Sequence, residues 1–285
     1  MKNGAFKIIL GFIVAIDLAI WYLILTPSTA GGSVLYFLNV GQGDSTLAIL
    51  PGGLPGQGVK ALIDGGPANG LAKKNLEEIL PINDRYIDLV LISHPQTDHM
   101  GGLPDIFKNY KIGAVITNGE ISENSVWQEM QKIIKENNIP QIVLAAEDKI
   151  KFNNAKIDIL SPNGGAASVN DSGLVELLDI NGAKALFTAD VSAETEKYLA
   201  DKYDLNVDIL KVSHHGSKFS SAASFLSKIT PAISIIEVGK NSYGHPTGDV
   251  LSRLADIDSQ IFRTDQDGII KIDFKNEKLT ISTLK

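Results

Sequence analysis

Short apolar runs, separated by turn residues and helical patterns, fill the chain from Val34 onward, and this alternation constrains the fold more than any other feature. The runs are rich in Ile, Val and Leu and bounded by Gly, Asn, Asp or Pro, which is typical of buried strands. The predicted strands are Leu35–Val40, Thr46–Leu50, Ala61–Ile63, Ile87–Ser93, Ala114–Thr117, Gln141–Leu144, Lys156–Leu160, Leu174–Ile180, Ala185–Thr188, Val207–Val212, Ile233–Val238, Ile269–Phe274 and Leu279–Thr283.

Amphipathic segments between the strands predict helices at Leu71–Leu80, Val126–Asn137, Ala193–Tyr203, Ser220–Lys228 and Gly248–Asp256. The pattern predicts an α/β fold with two sheets sandwiched by helices. With no linker to interrupt it, residues 34–285 are predicted to form one domain.

Polar segments stand where several of these strands end. Strands that run the same way bring their ends to one rim, and loops on a rigid scaffold are where catalytic groups usually lie. The segments are Asn39–Asp44, Asp64–Gly66, His94–His99, Asp190, His214–Ser217 and His245. All five histidines of the chain fall within them. This clustering predicts one functional site.

The segment HPQTDH holds His94, Asp98 and His99 within six residues. Asp98 and His99 are adjacent, so they cannot share a helix face, and we expect a tight loop to wrap both around a cation. The glycines of Met100-Gly101-Gly102 permit the sharp turn that follows. Histidine and carboxylate ligands suit a hydrolytic site with an open coordination position, where the metal lowers the pKa of bound water.

The chain has no cysteine, which excludes disulfides, Fe–S clusters, thiolate zinc sites and a cysteine nucleophile. Any metal must therefore use His, Asp, Glu or Asn, a donor set that suits Zn²⁺, Mn²⁺ or Fe. Ser217, beside two histidines, could indicate a serine nucleophile, but no GxSxG elbow accompanies it. The glycines at 41–43 and 65–66 do not fit a phosphate loop and are interpreted as tight turns.

The formal net charge of −7 is not that of a protein that binds nucleic acid by bulk electrostatics. A local cationic patch is still predicted, because four basic residues occur on segments at the same rim: Lys211, Lys218, Lys240 and Arg263. Such a patch would suit a phosphodiester. The alternative is that these are ordinary solvated surface charges.

Residues 8–25 form an apolar run of eighteen residues with a single charge, Asp17. A helix of about 20 residues spans the hydrocarbon core of a bilayer, and Trp21 and Tyr22 suit an interfacial belt. We therefore predict a membrane anchor at residues 1–26 and a linker at 27–33. Lysines before the run, and none after it until Lys60, favour a single-pass protein of the cytoplasmic membrane with its main domain outside. The alternative is a secreted protein, cleaved near Ser28-Thr29-Ala30.

Seven phrases occur in an order that resembles the metallo-β-lactamase-like domain of ComEC-family DNA-uptake proteins. They are FLNVGQGDS, LIDGG, SHPQTDHMGGL, LFTADV, DILKVSHHGSKFSS, VGKNSYGHP and FRTDQDG. The resemblance runs from about Leu35 to the C-terminus. It implies an αββα four-layer sandwich with one or two divalent ions, Zn²⁺ or Mn²⁺, on the rim.

The resemblance also implies roles for individual residues. His94 would bind the first metal, with Gln96 and either Asn170 or Asp171 as less certain ligands. Asp98, His99 and His245 would bind the second metal, and Asp190 would bridge both. Catalytic groups would be Asp98 and those that face the metals to bind or protonate a phosphate oxygen, namely His214, His215, Ser217 and Lys218. Lys240, Tyr243 and Arg263 would contact substrate.

Three positions depart from the family pattern. Gln96 stands where the superfamily has His and the DNA-uptake relatives usually have Asp. Asn39 replaces the first Asp of the DVGQGD phrase, and Ala189 replaces Gly in TGD while keeping the carboxylate of Asp190. The second-metal ligands are thus expected to be intact and the first-metal ligands impoverished.

Three functions are compatible with these residues. The first is a metal-dependent hydrolase of a phosphodiester, such as DNA, outside the cytoplasmic membrane. The second is a metal-poor, catalytically degenerate module for binding or assembly. The third is a hydrolase of another substrate, such as a cell-wall or lipid ester. With one predicted span the chain cannot itself be a conduit, so a separate channel protein is a further candidate partner.

Overall fold

A computed structural model describes residues 11–17, 32–52, 58–162, 168–275 and 278–285. Most of the predicted membrane anchor and linker lies outside these residues, apart from a helical stretch at 11–17. Within the part of the chain described, no helix combines the length and apolar character needed to cross a bilayer.

The first sheet has eight strands in the order β15-β14-β1-β2-β3-β4-β5-β6. Its strands are β1 (Ser33–Phe37), β2 (Thr46–Leu50), β3 (Val59–Ile63), β4 (Tyr86–Ile92), β5 (Lys111–Thr117), β6 (Gln141–Val143), β14 (Ile269–Lys275) and β15 (Lys278–Leu284). Strands β3 to β6 run parallel, and the other pairings are antiparallel.

The second sheet has seven strands in the order β13-β12-β11-β10-β9-β8-β7. Its strands are β7 (Lys149–Phe152), β8 (Ala155–Ser161), β9 (Val175–Ile180), β10 (Ala183–Phe187), β11 (Ile209–Lys211), β12 (Ile233–Ile236) and β13 (Gln260–Arg263). Strands β10 to β13 are parallel. Strands β7 and β13 were not among the predicted strands.

The helices are α1 (Leu71–Ile79), α2 (Thr97–Met100), α3 (Leu103–Asn109), α4 (Ser125–Glu136), α5 (Ala193–Lys202), α6 (Ala223–Ile229), α7 (Gly248–Ala255) and α8 (Thr264–Asp267), with a 3₁₀ turn at Ser213–Gly216. The five predicted helices correspond to α1, α4, α5, α6 and α7. The elements α2 and α8 and the 3₁₀ turn were not predicted, because four residues are too few to establish a helical period. The seven-residue helix α3 was not predicted either.

Three apolar clusters define the layers. One lies between the sheets and includes Phe37, Leu91 and Phe187. A second packs α1, α3 and α4 on the outer face of the first sheet, and a third packs α5, α6 and α7 on the outer face of the second. The predicted αββα sandwich is therefore confirmed. The extent of the domain over residues 34–285 stays a prediction.

The parallel strands of both sheets carry the polar segments at their carboxyl ends. Asp64 follows β3 and His94 follows β4; in the other sheet Asp190 follows β10 and His214 follows β11. Because neighbouring parallel strands end at one edge, these residues meet at one rim, as the sequence predicted.

Candidate metal centre

The segment that carries Asp98 and His99 is a helical turn, α2, rather than the loop that was predicted. The amides of His99 and Met100 both donate to the carbonyl of Gln96. Successive side chains on a helix point about 100° apart, so His99 is buried while the Asp98 side chain is 34% exposed to solvent. The loop between β1 and β2 packs closely against this turn, because a Cβ at Gly43, whose φ is +148°, would collide with the Asp98 carbonyl.

Four side chains bring ligand atoms together at the rim, all within 4.8 Å of one another: Asp98, His99, Asp190 and His215. We refer to them as the Asp190 cluster. The His99 Nε2 lies 3.4 Å from one Asp190 oxygen, and the His215 Nε2 lies 3.8 Å from the other. His215 Nε2 is also 3.5 Å from Asp98 Oδ2. Two imidazoles and two carboxylates are a donor set suited to Zn²⁺ or Mn²⁺.

The hydrogen bonding of these atoms supports the same reading. Among the described residues, both carboxylate oxygens of Asp190 and the Nε2 atoms of His99 and His215 are buried without a hydrogen-bond partner. Buried polar atoms normally have partners, because leaving one unpaired costs about 1–3 kcal/mol. Their convergence on one point fits a divalent cation, which would satisfy all of them.

Outer partners orient both imidazoles. The Nδ1 of His99 lies 2.8 Å from Asp64 Oδ2, and the Nδ1 of His215 lies 2.8 Å from the Glu237 carbonyl. A hydrogen bond at Nδ1 leaves Nε2 free to face the cluster, as is usual for metal-binding histidines. Asp64 and Glu237 were not predicted site residues, although the position of Asp64 directly after a predicted strand was a signal.

The charges of the cluster favour cations. Burial alone would lower the pKa of His99, but Asp190, Asp64 and Asp44 together raise it well above its ordinary value. Burial likewise opposes protonation of His215, yet Asp190 and Asp44 raise its pKa to about 10. The carboxylates around both rings thus stabilise positive charge at this point, the environment that a divalent cation requires.

Lys211 does not belong to a rim patch, contrary to the prediction. Its side chain is 2% exposed, and its ammonium is paired with Asp44 and donates to the Ala189 carbonyl. Burial acts to raise the pKa of Asp44, but Lys211 and His215 lower it to about 2. Lys211 and Asp44 therefore form a buried ion pair directly behind the Asp190 cluster.

The other side of the centre, the His94 side, consists of His94, Gln96 and Asn170. Burial, followed by the nearby His99, lowers the pKa of His94 to about 4, and its Nε2 has no partner among the described residues. The Gln96 amide donates to Asn170 Oδ1, so the two predicted minor ligands bind each other.

The structure does not bring Asp171 into this group. Its carboxylate accepts hydrogen bonds from Ser192, Thr195 and Ser168, at the start of α5. Of the two alternatives for a further first-metal ligand, Asn170 is the residue that lines the cavity over the Asp190 cluster.

His214 and His245 lie just above the Asp190 cluster. His214 is one-third exposed, with Nε2 3.6 Å from Asp190 Oδ2. The His245 ring centroid is 5.7 Å from that of His214, and the His245 Nδ1 has no partner among the described residues. The predicted second-metal set thus comes together in part, with His215 rather than His245 in the four-residue cluster.

A cavity of about 670 Å³ opens over the cluster. Its lining includes Asp98, His214, His245 and Tyr243 together with the amide side chains of Gln42, Gln96, Asn124 and Asn170. Tyr243 is 73% exposed, and its ring lies 5.7 Å from that of His245.

The remaining predicted substrate groups do not line this cavity as far as the described residues go. Ser217 is buried, and Lys218 lies over the ring of Phe219 at 5.0 Å. Arg263 forms a two-bond ion pair with Asp265, and Lys240 is exposed. The expected cationic patch is therefore not assembled around the cavity, because sequence proximity to the rim does not fix where a long side chain is held.

Comparisons with known proteins agree with this architecture. A family model described as "Metallo-beta-lactamase superfamily" matches residues 38–239. "ComE operon protein 3" of Bacillus subtilis is 28% identical over 279 residues, covering 91% of this chain and 35% of that protein. "Recombination protein 2" of Haemophilus influenzae is 29% identical over 250 residues, covering 86% and 29%. Both are ComEC-family competence proteins. The chain thus spans about a third of the length of the curated relatives it matches.

Among solved structures, the metallo-beta-lactamase fold protein YhfI from Bacillus subtilis superimposes with a TM-score of 0.58. The alignment covers 84% of this chain and 99% of YhfI at 11% identity, which supports the fold alone. The family match, the αββα sandwich and the ligand atoms gathered at its rim agree with one another, and the chain belongs to the metallo-β-lactamase superfamily.

Proposed function

We propose that this chain is a metal-dependent hydrolase of phosphodiester bonds, with DNA as its substrate. The observation that carries the proposal is the Asp190 cluster, which has buried ligand atoms without partners among the described residues and contributes Asp98 and His215 to the lining of an open cavity. The choice of DNA is supported by the relatives, which include a competence protein and a recombination protein by name.

The ligands proposed are Asp98, His99, Asp190 and His215, with His94 and His245 at the margins. Zn²⁺ or Mn²⁺ bound there would polarise a phosphoryl oxygen and lower the pKa of bound water. The protein groups around it then have separate tasks. Asp98, partly exposed to the cavity, can accept a proton from the attacking water, and His214 can bind or protonate a phosphate oxygen.

Electrostatics shape how substrate would bind. Asp98 is the charged carboxylate in the lining, and the described lining contains no lysine or arginine. Affinity for a polyanion would therefore depend on the bound cation and on neutral contacts from the four amide side chains and Tyr243. We expect binding of DNA to weaken only modestly with salt, because few phosphate–cation contacts release counterions.

The variant Asp190→Asn tests the proposal. It keeps the size of a 2%-exposed side chain but removes the charge shared by His99 and His215. Mn²⁺-dependent cleavage of end-labelled single- and double-stranded DNA should fall by at least about 100-fold, a barrier increase near 3 kcal/mol. Asp201→Asn, which removes a surface carboxylate paired with Lys197 and Lys228, is the matched control and should keep full activity. Unchanged cleavage by Asp190→Asn would overturn the proposal.

A second candidate is a module that binds but does not cleave. The bond between Gln96 and Asn170 favours it, because an amide pair occupies the place of two expected ligands. Elemental analysis separates the two functions: protein purified without chelator that takes up neither Mn²⁺ nor Zn²⁺ would support the binding module. If metal binds but DNA stays intact, assays with cell-wall and lipid esters test the remaining hydrolase alternative.

We also propose that residues 8–25 anchor the chain in the cytoplasmic membrane with the hydrolase domain outside. The support is the apolar run itself, with its single charge at Asp17. Because the chain lacks cysteine, a single Ser227→Cys change on an exposed surface gives an unambiguous label. A membrane-impermeant maleimide should label this variant in intact cells, and the labelled protein should be recovered in the membrane fraction. Labelling only after lysis would contradict the proposed orientation, and label in the culture medium would indicate signal cleavage. A separate channel partner stays a prediction.

A further inference from the structure

A buried glutamate joins the two segments that supply the Asp190 cluster. Glu196 lies in the first turn of α5, six residues after Asp190, and its side chain is fully buried. One carboxylate oxygen accepts hydrogen bonds from Ser213 Oγ at 2.7 Å and from the Ser221 amide at 2.8 Å. The other accepts from the Ala222 amide at 3.1 Å. One side chain thus holds both ends of the 213–222 segment.

The segment it holds includes His214 and His215, which follow Ser213 directly. Both histidines have left-handed backbone angles, with φ of +49° and +53°. Residues with a side chain rarely adopt left-handed backbone angles. Two such residues in succession therefore persist only where the surrounding structure enforces that conformation. Here the surroundings include Glu196 at the start of the turn and Arg253, which donates to the carbonyls of Ser220 and Ser221 at its far end.

The helix that carries Glu196 also fixes the other half of the cluster. Asp190 stands three residues before α5, and the Ala193 amide donates to the Phe219 carbonyl. A second link runs from the His214 amide to the Ala189 carbonyl. Any displacement of the 213–222 segment relative to α5 therefore changes the spacing of His215 and Asp190.

We propose that Glu196 is a positioning residue for the metal centre, which sets the His214–His215 turn against Asp190. A carboxyl group serves this task well because its two oxygens offer several acceptor sites in one rigid, planar group. The inference rests on the metal site of the proposed function. It concerns metal binding rather than cleavage, so it can fail while the proposed hydrolase activity of the unaltered chain stands.

The test is the affinity of the full-length chain for Mn²⁺, measured by isothermal titration calorimetry for three variants at this clamp. Glu196→Ala should weaken binding by about 10–100-fold, the range typical for loss of an outer-shell partner. Ser213→Ala, which removes one of the three bonds, should weaken it several-fold. Glu196→Gln keeps an oxygen for Ser213 and Ser221 and should restore affinity to within a few-fold of the unaltered protein.

A structural control separates positioning from general loss of stability. Leu199→Ala truncates a fully buried apolar side chain on the same helix, which makes no hydrogen bond to the 213–222 segment. It should lower the thermal unfolding midpoint in chelator while leaving Mn²⁺ affinity unchanged. Glu196→Ala that binds Mn²⁺ as tightly as the unaltered chain, or Leu199→Ala that weakens binding equally, would overturn the inference. Should Glu196→Ala not fold, Ser213→Ala and Glu196→Gln decide it: normal affinity in Ser213→Ala would then overturn it.

Discussion

In the Asp190 cluster, ligand atoms from four side chains gather within 4.8 Å, whereas the His94 side offers one buried imidazole and an amide pair. The imidazoles of the cluster are supported at Nδ1 by a carboxylate and a carbonyl, whereas among the described residues the Nδ1 of His94 has one hydrogen-bond partner, the hydroxyl of Ser93 at 3.0 Å. The pKa values diverge accordingly, with that of His215 raised to about 10 and that of His94 lowered to about 4, mainly by burial.

The difference teaches that burial alone does not make a ligand site. The imidazoles on both sides are fully buried, but among the described residues the carboxylates that lower the cost of bringing in a cation lie in the Asp190 cluster. We infer that the two sides differ in metal affinity, with the Asp190 cluster as the tight site. The predictions below start from the change that should break this difference most strongly.

Removing one imidazole from each side gives the largest contrast. His99→Gln should weaken the tight Mn²⁺ site by about 1,000-fold, beyond the 10–100-fold that loss of an outer-shell partner costs. His94→Gln should change that affinity by less than about tenfold, since His94 is not among the four residues of the cluster. Isothermal titration of both variants measures the contrast. Equal losses would show that the two sides act as one site.

Removing the buried cation behind the cluster should cost folding stability. Lys211→Met leaves Asp44 as a buried carboxylate without its ammonium partner, which should lower the free energy of unfolding by roughly 3–4 kcal/mol. Lys228→Met breaks the exposed pair with Asp201 and should cost less than about 1 kcal/mol. Urea unfolding in chelator compares the two. A small loss in Lys211→Met would mean that the pair does not support the cluster.

A histidine introduced on the His94 side should reduce the difference between the sides. Gln96→His replaces the neutral amide by an imidazole and should tighten binding of a second ion by about tenfold or more. Gln42→His adds an imidazole to the same cavity from the loop between β1 and β2 and serves as control. Metal counting by native mass spectrometry at fixed Mn²⁺ gives the readout. If both variants behave alike, the position of the ring is irrelevant and the proposed geometry is wrong.

The smallest effect is expected at the mouth of the cavity. Tyr243→Ala should raise the KM for single-stranded DNA about fivefold, because an aromatic ring stacked on a base contributes on the order of 1 kcal/mol or more. Tyr243→Phe should keep the original KM, and both variants should bind Mn²⁺ normally. A lower affinity for Mn²⁺ in Tyr243→Ala would place this ring in the metal site instead.

The sequence predicted the layers of the fold and the rim because both follow from local patterns. Apolar runs with turn residues at their ends identify strands one at a time, and polar residues at those ends converge once parallel strands pair. The edge strands β7 and β13 were not predicted, because their residues are half exposed and lack a clear apolar run. The helical turn at Thr97–Met100 escaped because a single turn has no period to detect.

Within the site, the residue types were predictable but their partners were not. His94, Asp98, His99, Asp190 and the histidine pair were identified, since histidine and carboxylate at strand ends are themselves a signal. Which of the adjacent His214 and His215 faces the cluster depends on the backbone angles of the turn, so His215 could not be chosen from spacing, and His245 from a later segment was predicted as the ligand instead. Glu196 gave no signal, because a carboxylate on a helix has the pattern of a solvated residue until its partners are known. Glu237 gave none either, because it lies within a predicted strand, where a single charged residue does not indicate a site.

Stepwise metal loading of the full-length chain tests the central claim most directly. Native mass spectrometry across a Mn²⁺ titration should show one ion bound at low concentration and a second only at concentrations at least about tenfold higher. The first ion should disappear in Asp190→Asn and persist in Asp201→Asn. Two ions that bind together at the same concentration, or a first ion that survives Asp190→Asn, would contradict the account.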